Sequence, residues 1–95
     1  MKKIVSVIPC KDKKLKVTFS AGLTGIFDVA PYIRSDFFRK LDDEPYFNQV
    51  GIFFTGVGWP DGQDLGPDTI EADLLPISDE DILLSKEATE SNKSI

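Results

Sequence analysis

The chain has 95 residues, 41% of them hydrophobic, with a formal net charge of −5, one cysteine and no histidine. This length suits a single domain with one hydrophobic core and leaves no room for a second. The composition excludes an intrachain disulfide framework, the usual serine or cysteine triads and most zinc sites. The single thiol favours a cytoplasmic location, and no apolar run is long enough to cross a bilayer.

The N-terminal part of the sequence predicts a β-meander. Residues 3–9 and 14–20 are rich in β-branched side chains, and the polar segment 10–13 separates them. That arrangement is typical of two strands joined by a short hairpin loop. Gly22 suits a turn because glycine adopts positive φ without steric cost, so residues 23–29 are predicted to continue as a third strand.

The middle of the chain predicts short helical pieces. Asp28 stands before a proline and suits the cap of a helical turn. Residues 35–41 predict a short helix with Ser35 as its cap, and the acidic cluster with proline at 42–45 predicts the start of another turn. Neither piece is long enough to be stable alone, so both are expected to dock on the sheet.

The second half predicts one more strand, a loop and a last helix. Residues 50–55 are almost continuously apolar and predict a central strand with both faces covered. Residues 56–60 lead into a loop predicted at 61–67, where glycines and prolines demand turns, and residues 68–75 predict a short helix. The expected fold is α+β, an antiparallel sheet built from the N-terminal meander plus this later strand and packed with short helices. Residues 1–76 are expected to form the domain, and residues 77–95 an acidic C-terminal tail that is either a marginal helix or disordered.

The stretch Trp-Pro-Asp-Gly-Gln-Asp-Leu at residues 59–65 is the most distinctive motif of the chain. It is accompanied by Phe19, Gly22, Phe27, Asp28, Phe38, Leu41, Phe47 and Val50. Over about residues 3–75 this order resembles a bacterial family classed as a domain of unknown function and numbered 2442, although the family usually has Asn in place of Asp61. The resemblance implies an α+β fold with an antiparallel sheet and short helices, and it supplies no activity.

The same resemblance bears on possible partners. Some members of the family carry a helix-turn-helix DNA-binding domain after this one, and others are small proteins that look like partners of toxin-like neighbours. The present chain continues instead into a short acidic tail, which weighs against a DNA-binding role.

Three carboxylates, those of Asp61, Asp64 and Asp68, lie within eight residues on or beside the glycine-rich loop, and Asp28 is a possible fourth. Such oxygen ligands would suit Mg²⁺ or Ca²⁺, and the spacing matches no EF-hand. The same residue types are standard in turns and helix caps, and that structural interpretation is favoured. No metal or cofactor is therefore expected.

Two further features suggest recognition of a partner. Trp59 beside the loop would anchor a partner if its indole is exposed, and would otherwise pack inside a turn. Lys11, Lys13, Lys14 and Lys16 mark the first hairpin, either as a basic partner-facing patch or, as we prefer, as charges that prevent edge-to-edge strand pairing.

The preferred hypothesis is a non-enzymatic protein-binding or regulatory module that recognises another protein. One rival is a carboxylate-dependent, metal-binding enzyme at the acidic loop, and another is a DNA-associated regulator that uses the hairpin lysines. Overall acidity argues against nonspecific nucleic-acid binding, and no membrane partner is expected. Self-association through an edge strand stays open.

Overall fold

The structure, a computed structural model, describes residues 2–77, which form two three-stranded antiparallel sheets with short helices. This confirms the predicted α+β class. The later strand does not extend the N-terminal meander, however, because it belongs to a sheet of its own. The tail predicted at 77–95 lies outside the described residues except for its first position.

The first sheet is the predicted meander. It comprises β1 (Ile4–Cys10), β2 (Lys14–Phe19) and β3 (Thr24–Asp28), with β2 in the centre. Alternate residues of β2 are buried, because one face of the sheet covers the core and the other meets solvent. A 3₁₀ turn over Lys11–Lys13 closes the hairpin between β1 and β2.

The first strand also reaches the second sheet. The pairing register of β1 shifts between Ile4 and Ser6, so that the strand is irregular near its start. Ile4 is fully buried, and its N–H donates a 2.9 Å hydrogen bond to the carbonyl of Thr55. This bond ties the two sheets together at one corner.

The helices are each one or two turns long. They are α1 (Ala30–Ile33), α2 (Glu44–Phe47) and α3 (Pro67–Ala72), with a 3₁₀ turn at Arg39–Asp42. The Asp28 carboxylate accepts a 3.0 Å hydrogen bond from the N–H of Ala30 at the start of α1, while the N-cap position itself is occupied by Val29 and has no side-chain cap. The carboxylate of Asp43 accepts at 3.3 Å from the N–H of Tyr46 at the start of α2.

The helix predicted over 35–41 is replaced by turns and the 3₁₀ segment. The Ser35 hydroxyl does accept a 3.4 Å hydrogen bond from the N–H of Phe38, so the predicted cap position is used. Leu41 is in the core and Phe38 packs against it, so tertiary contacts decide the path of this segment.

The second sheet comprises β4 (Gly51–Phe53), β5 (Gly56–Gly58) and β6 (Asp64–Leu65), with β5 in the centre. The prediction of a central, doubly covered strand at 50–55 is wrong: β4 is the terminal strand of this sheet, and Ile52 is 47% exposed. Residues 56–58, which were predicted to lead into the loop, form the central strand.

Glycine explains why β5 lies in the centre. A Cβ added to Gly56 would stand 2.2 Å from the carbonyl oxygen of Leu65 on β6. The two backbones therefore approach more closely than any other residue would allow. Apolar content alone favoured residues 50–55 as the central strand. Composition does not reveal the close approach of two backbones.

We expect Gly56→Ala to lower the free energy of unfolding by about 1–3 kcal/mol, because the added methyl group must push the β6 backbone away. Chemical denaturation measures the loss. Gly62→Ala is not a suitable control since Gly62 has positive φ, so Gly66→Ala, where a Cβ meets nothing within 4 Å, serves instead. Equal stability of the Gly56 variant and the wild type would contradict the close approach.

Candidate functional site

The carboxylates of the predicted acidic loop are not brought together. Asp61 forms an ion pair with Lys40, and Asp64 lies exposed on β6. The exposed carboxylate of Asp68 lies 3.8 Å from the Nζ of Lys2. Among residues 2–77, no group of three or more His, Cys, Asp or Glu side chains is placed to hold a metal ion.

These ion pairs raise the pKa of the two lysines that take part in them. The hydrogen bond from Lys40 to Asp61 raises the pKa of Lys40 above its usual 10.5. The hydrogen bond and charge of Glu71, 2.6 Å from the Nζ of Lys2, likewise raise the pKa of Lys2. Both cations therefore stay charged throughout the neutral range, and the loop carboxylates act as partners for lysines.

Asp28, the possible fourth carboxylate, lies elsewhere. Together with Pro31, Tyr32 and Asp73 it lines an open cleft of about 210 Å³. One of its oxygens already accepts a hydrogen bond from the N–H of Ala30. The structure thus gives Asp28 a role at the start of α1, away from the glycine-rich loop.

Trp59 belongs to the core. Its indole is 6% exposed, packs with its centroid 6.0 Å from that of Phe47, and donates a 2.9 Å hydrogen bond from Nε1 to the Phe47 carbonyl. A side chain with both its ring and its N–H satisfied inside the fold offers little surface to a partner. The hypothesis that Trp59 anchors a partner therefore loses its support.

Gln63 is a buried residue that the sequence reasoning missed. It is 4% exposed, and its Oε1 accepts a 2.7 Å hydrogen bond from the hydroxyl of Tyr46. That hydroxyl in turn accepts a 2.8 Å hydrogen bond from the N–H of Asp61, and the Gln63 amide donates at 3.4 Å to the Phe37 carbonyl. The network holds the glycine-rich loop against α2. The available signal was strand alternation, because Gln63 lies two residues before the buried Leu65 and residues two apart in a strand share a face.

The lysines of the first hairpin have different surroundings. Lys13 is folded toward α2, where its Nζ lies 2.6 Å from Glu44 and 5.7 Å from the ring centroid of Phe47. Lys14 and Lys16 lie on β2, the central strand, so they do not protect an exposed edge from pairing. That corrects the interpretation we preferred from sequence. Lys11 is exposed in the 3₁₀ turn.

The turn between β4 and β5 combines an unusual backbone conformation with an exposed aromatic side chain. Phe54 and Thr55 form a two-residue connection between the paired residues Phe53 and Gly56. Phe54 has a φ of 53°, in the left-handed region, and its side chain is 85% exposed. Turns of this length favour glycine or asparagine at positive φ, because a bulky side chain there is strained.

The two aromatic rings lie side by side on the outer face of the second sheet. The centroids of Phe53 and Phe54 are 4.6 Å apart. Phe53 packs over Gly58, where a Cβ would stand 2.9 Å from the Cβ of Phe53. Gly51 lies two residues before Phe53 on the same face, and a Cβ there would meet nothing within 4 Å. We call Gly51, Phe53, Phe54 and Gly58 the aromatic patch.

The aromatic patch lies in an uncharged part of the chain. Residues 45–60 contain no Asp, Glu, Lys or Arg. With Phe53 45% exposed, the two rings present roughly 250–300 Å² of apolar surface, close to the largest patches of monomeric proteins, which are often functional.

A family described as a protein of unknown function (DUF2442) matches residues 4–74. The chain belongs to this family. The match spans the elements from β1 to α3 and includes both the Trp59–Leu65 stretch and the aromatic patch of this DUF2442 domain. Searches of curated proteins and of solved structures gave no match.

Within residues 2–77, this DUF2442 domain has no helix with the length and apolar character needed to cross a membrane. Two side chains of the stretch at 59–65, those of Trp59 and Gln63, are engaged inside the fold. They belong to the scaffold that holds the loop, and the exposed aromatic rings lie outside this stretch.

Proposed function

We propose that this chain is a non-enzymatic protein-binding module of the cytoplasm, and that it contacts its protein partner through the aromatic patch. The observation that carries the proposal is the side chain of Phe54, which is 85% exposed on a residue with positive φ. The single cysteine supports a reducing compartment.

Phe54 is unfavourable for folding in two respects. A left-handed conformation at a residue other than glycine costs about 1–3 kcal/mol. A ring that stays 85% exposed recovers little of this by burial in its own domain. A partner that covers the ring would supply the missing burial, and aromatic side chains are common among the residues that dominate binding energy.

The rest of the surface supports recognition more than catalysis. The loop carboxylates are separate, and Asp61 is engaged with Lys40. The chain has no histidine to act as a general base near neutral pH. By contrast, an apolar projection beside a flat strip of glycine backbone is a suitable shape for a contact with another protein.

Photo-crosslinking from position 54 tests the proposal. A photoreactive phenylalanine analogue replaces Phe54 in the full chain, expressed in the cells that naturally produce it, and irradiation is followed by mass spectrometry of the adducts. We expect a discrete protein adduct from position 54, because the ring is covered in the complex. The measurement reports any protein partner, whether it is a second copy or a different chain.

The matched control places the same analogue at Phe37, which is 57% exposed and lies outside the aromatic patch. We expect no discrete adduct from that position. The proposal fails if position 54 gives no adduct, or if positions 54 and 37 give the same adducts.

A further inference from the structure

We infer that residues 78–95 of the acidic tail fold back on their own domain and cover the outer face of the first sheet, which is the face turned away from the core. In this arrangement the apolar run 82–84 lies over Ile26. The inference goes beyond the proposed function, because this face and the aromatic patch belong to different sheets. Failure of one therefore leaves the other standing.

The outer face of the first sheet is defined by the pairing register. Ile8 on β1, Lys16 on β2 and Ile26 on β3 are cross-strand partners, so their side chains form one row on this face. In the adjacent row, the hydroxyl of Thr24 donates a 3.2 Å hydrogen bond to the hydroxyl of its cross-strand partner Thr18. Cross-strand partners therefore do share this face.

Ile26 is more buried than its position on this face explains. It is 3% exposed, whereas Ile8 and Lys16 in the same row are half-buried. Within residues 2–77, the core cluster lies on the other face of the sheet and does not include Ile26. Leu75 pairs with Ile26 at the edge of the sheet, and is itself 52% exposed. A further segment over the row accounts for the burial, because an apolar sheet face is stable only when another element covers it.

The described part of the chain ends beside this face. The N–H and the carbonyl of Ile26 exchange 2.8 Å hydrogen bonds with the carbonyl and the N–H of Leu75, and the described chain reaches residue 77 just after this pair. From Leu75 to Ile82 an extended chain spans up to about 25 Å. Strands of one sheet lie about 4.8 Å apart, so the run 82–84 can reach every strand of the first sheet.

The charge and the apolar content of the tail match this face. Lys14 and Lys16 lie on it beside the two isoleucines of the row. In the tail, the run 79–81 is Asp-Glu-Asp, and the apolar run 82–84, Ile-Leu-Leu, follows it directly. Burial of the apolar side chains drives the contact, and the opposite charges orient it.

Nuclear Overhauser contacts between methyl groups test the inference in the full chain. We expect contacts from the methyl groups of residues 82–84 to those of Ile26 and Ile8, because the run lies over this row. Ile52 is the matched control, since it is an isoleucine on a strand of the second sheet and is 47% exposed. The inference fails if residues 82–84 show no contact with the first sheet, or if they contact Ile52 instead.

A double-mutant cycle measures the same contact through stability. Replacing all three residues of the run 82–84 by serine should raise the equilibrium constant of unfolding at least tenfold, since the burial of three apolar side chains is lost. In an Ile26→Ala background this factor should fall severalfold because the contact is already missing, whereas in an Ile52→Ala background it should stay the same. A factor near one in the wild type, or equal factors in the two backgrounds, overturns the inference. If Ile26→Ala does not fold, the methyl contacts decide.

Discussion

Replacing Trp59 by alanine is expected to lower the free energy of unfolding by about 3–5 kcal/mol. The indole is 6% exposed, contacts Phe47, and belongs to the core cluster that both sheets share. Its removal leaves a large cavity and takes one of two hydrogen bonds from the Phe47 carbonyl, which also accepts the N–H of Val50 at 3.2 Å. A domain of this size has a total stability of about 5–15 kcal/mol, so chemical denaturation should show the variant largely or wholly destabilised.

Trp59→Phe separates the two contributions. Phenylalanine retains most of the packing but cannot donate to the Phe47 carbonyl, so we expect a smaller loss of about 1–3 kcal/mol. If Trp59→Ala instead changed stability by less than about 1 kcal/mol, the indole would not be the core residue that the structure shows.

Replacing Phe54 by glycine is expected to weaken partner binding at least tenfold while leaving the domain folded. Glycine adopts positive φ without strain, so the free energy of unfolding should rise by about 0.5–1 kcal/mol once the greater freedom of glycine in the unfolded chain is included. Denaturation gives the stability, and sedimentation equilibrium together with capture of the partner found by crosslinking gives the binding.

Phe37→Gly is the matched control for this variant. Phe37 is also an exposed phenylalanine, but it packs against Phe38 with 5.1 Å between ring centroids and has no positive φ. We expect this control to lose stability and to keep its binding. Equal weakening of binding by both variants would show that any exposed ring suffices, and a drop in stability for Phe54→Gly would show that the turn is not strained.

The N-terminal half of the fold could be predicted because its signals are local. Alternating apolar residues in β2, polar residues in the hairpin and the oxygen of Asp28 before α1 each act within a few positions. The second sheet was misassigned because its central strand is made of glycine and valine at 56–58, and its position depends on close contact with β6. Strand propensity carries no signal for such a contact.

The candidate site shows the same limit. Asp61, Asp64 and Asp68 are close in sequence, yet Asp61 pairs with Lys40 from the 3₁₀ segment and Asp68 approaches Lys2 at the opposite end of the described chain. Partners so distant in sequence cannot be found by spacing. The exposure of Phe54 was not predicted for a related reason. The apolar run at 50–55 indicates a buried strand unless the position of the turn within it is known.

The hydrogen bond between the N–H of Ile4 and the carbonyl of Thr55 has a practical consequence for experiments. Because this bond holds the beginning of β1 against the residue that follows Phe54, a bulky label attached at Ile4 would stand close to the turn that carries the exposed rings. Such a label would obstruct the surface by bulk alone, so labels for interaction assays belong elsewhere on the chain.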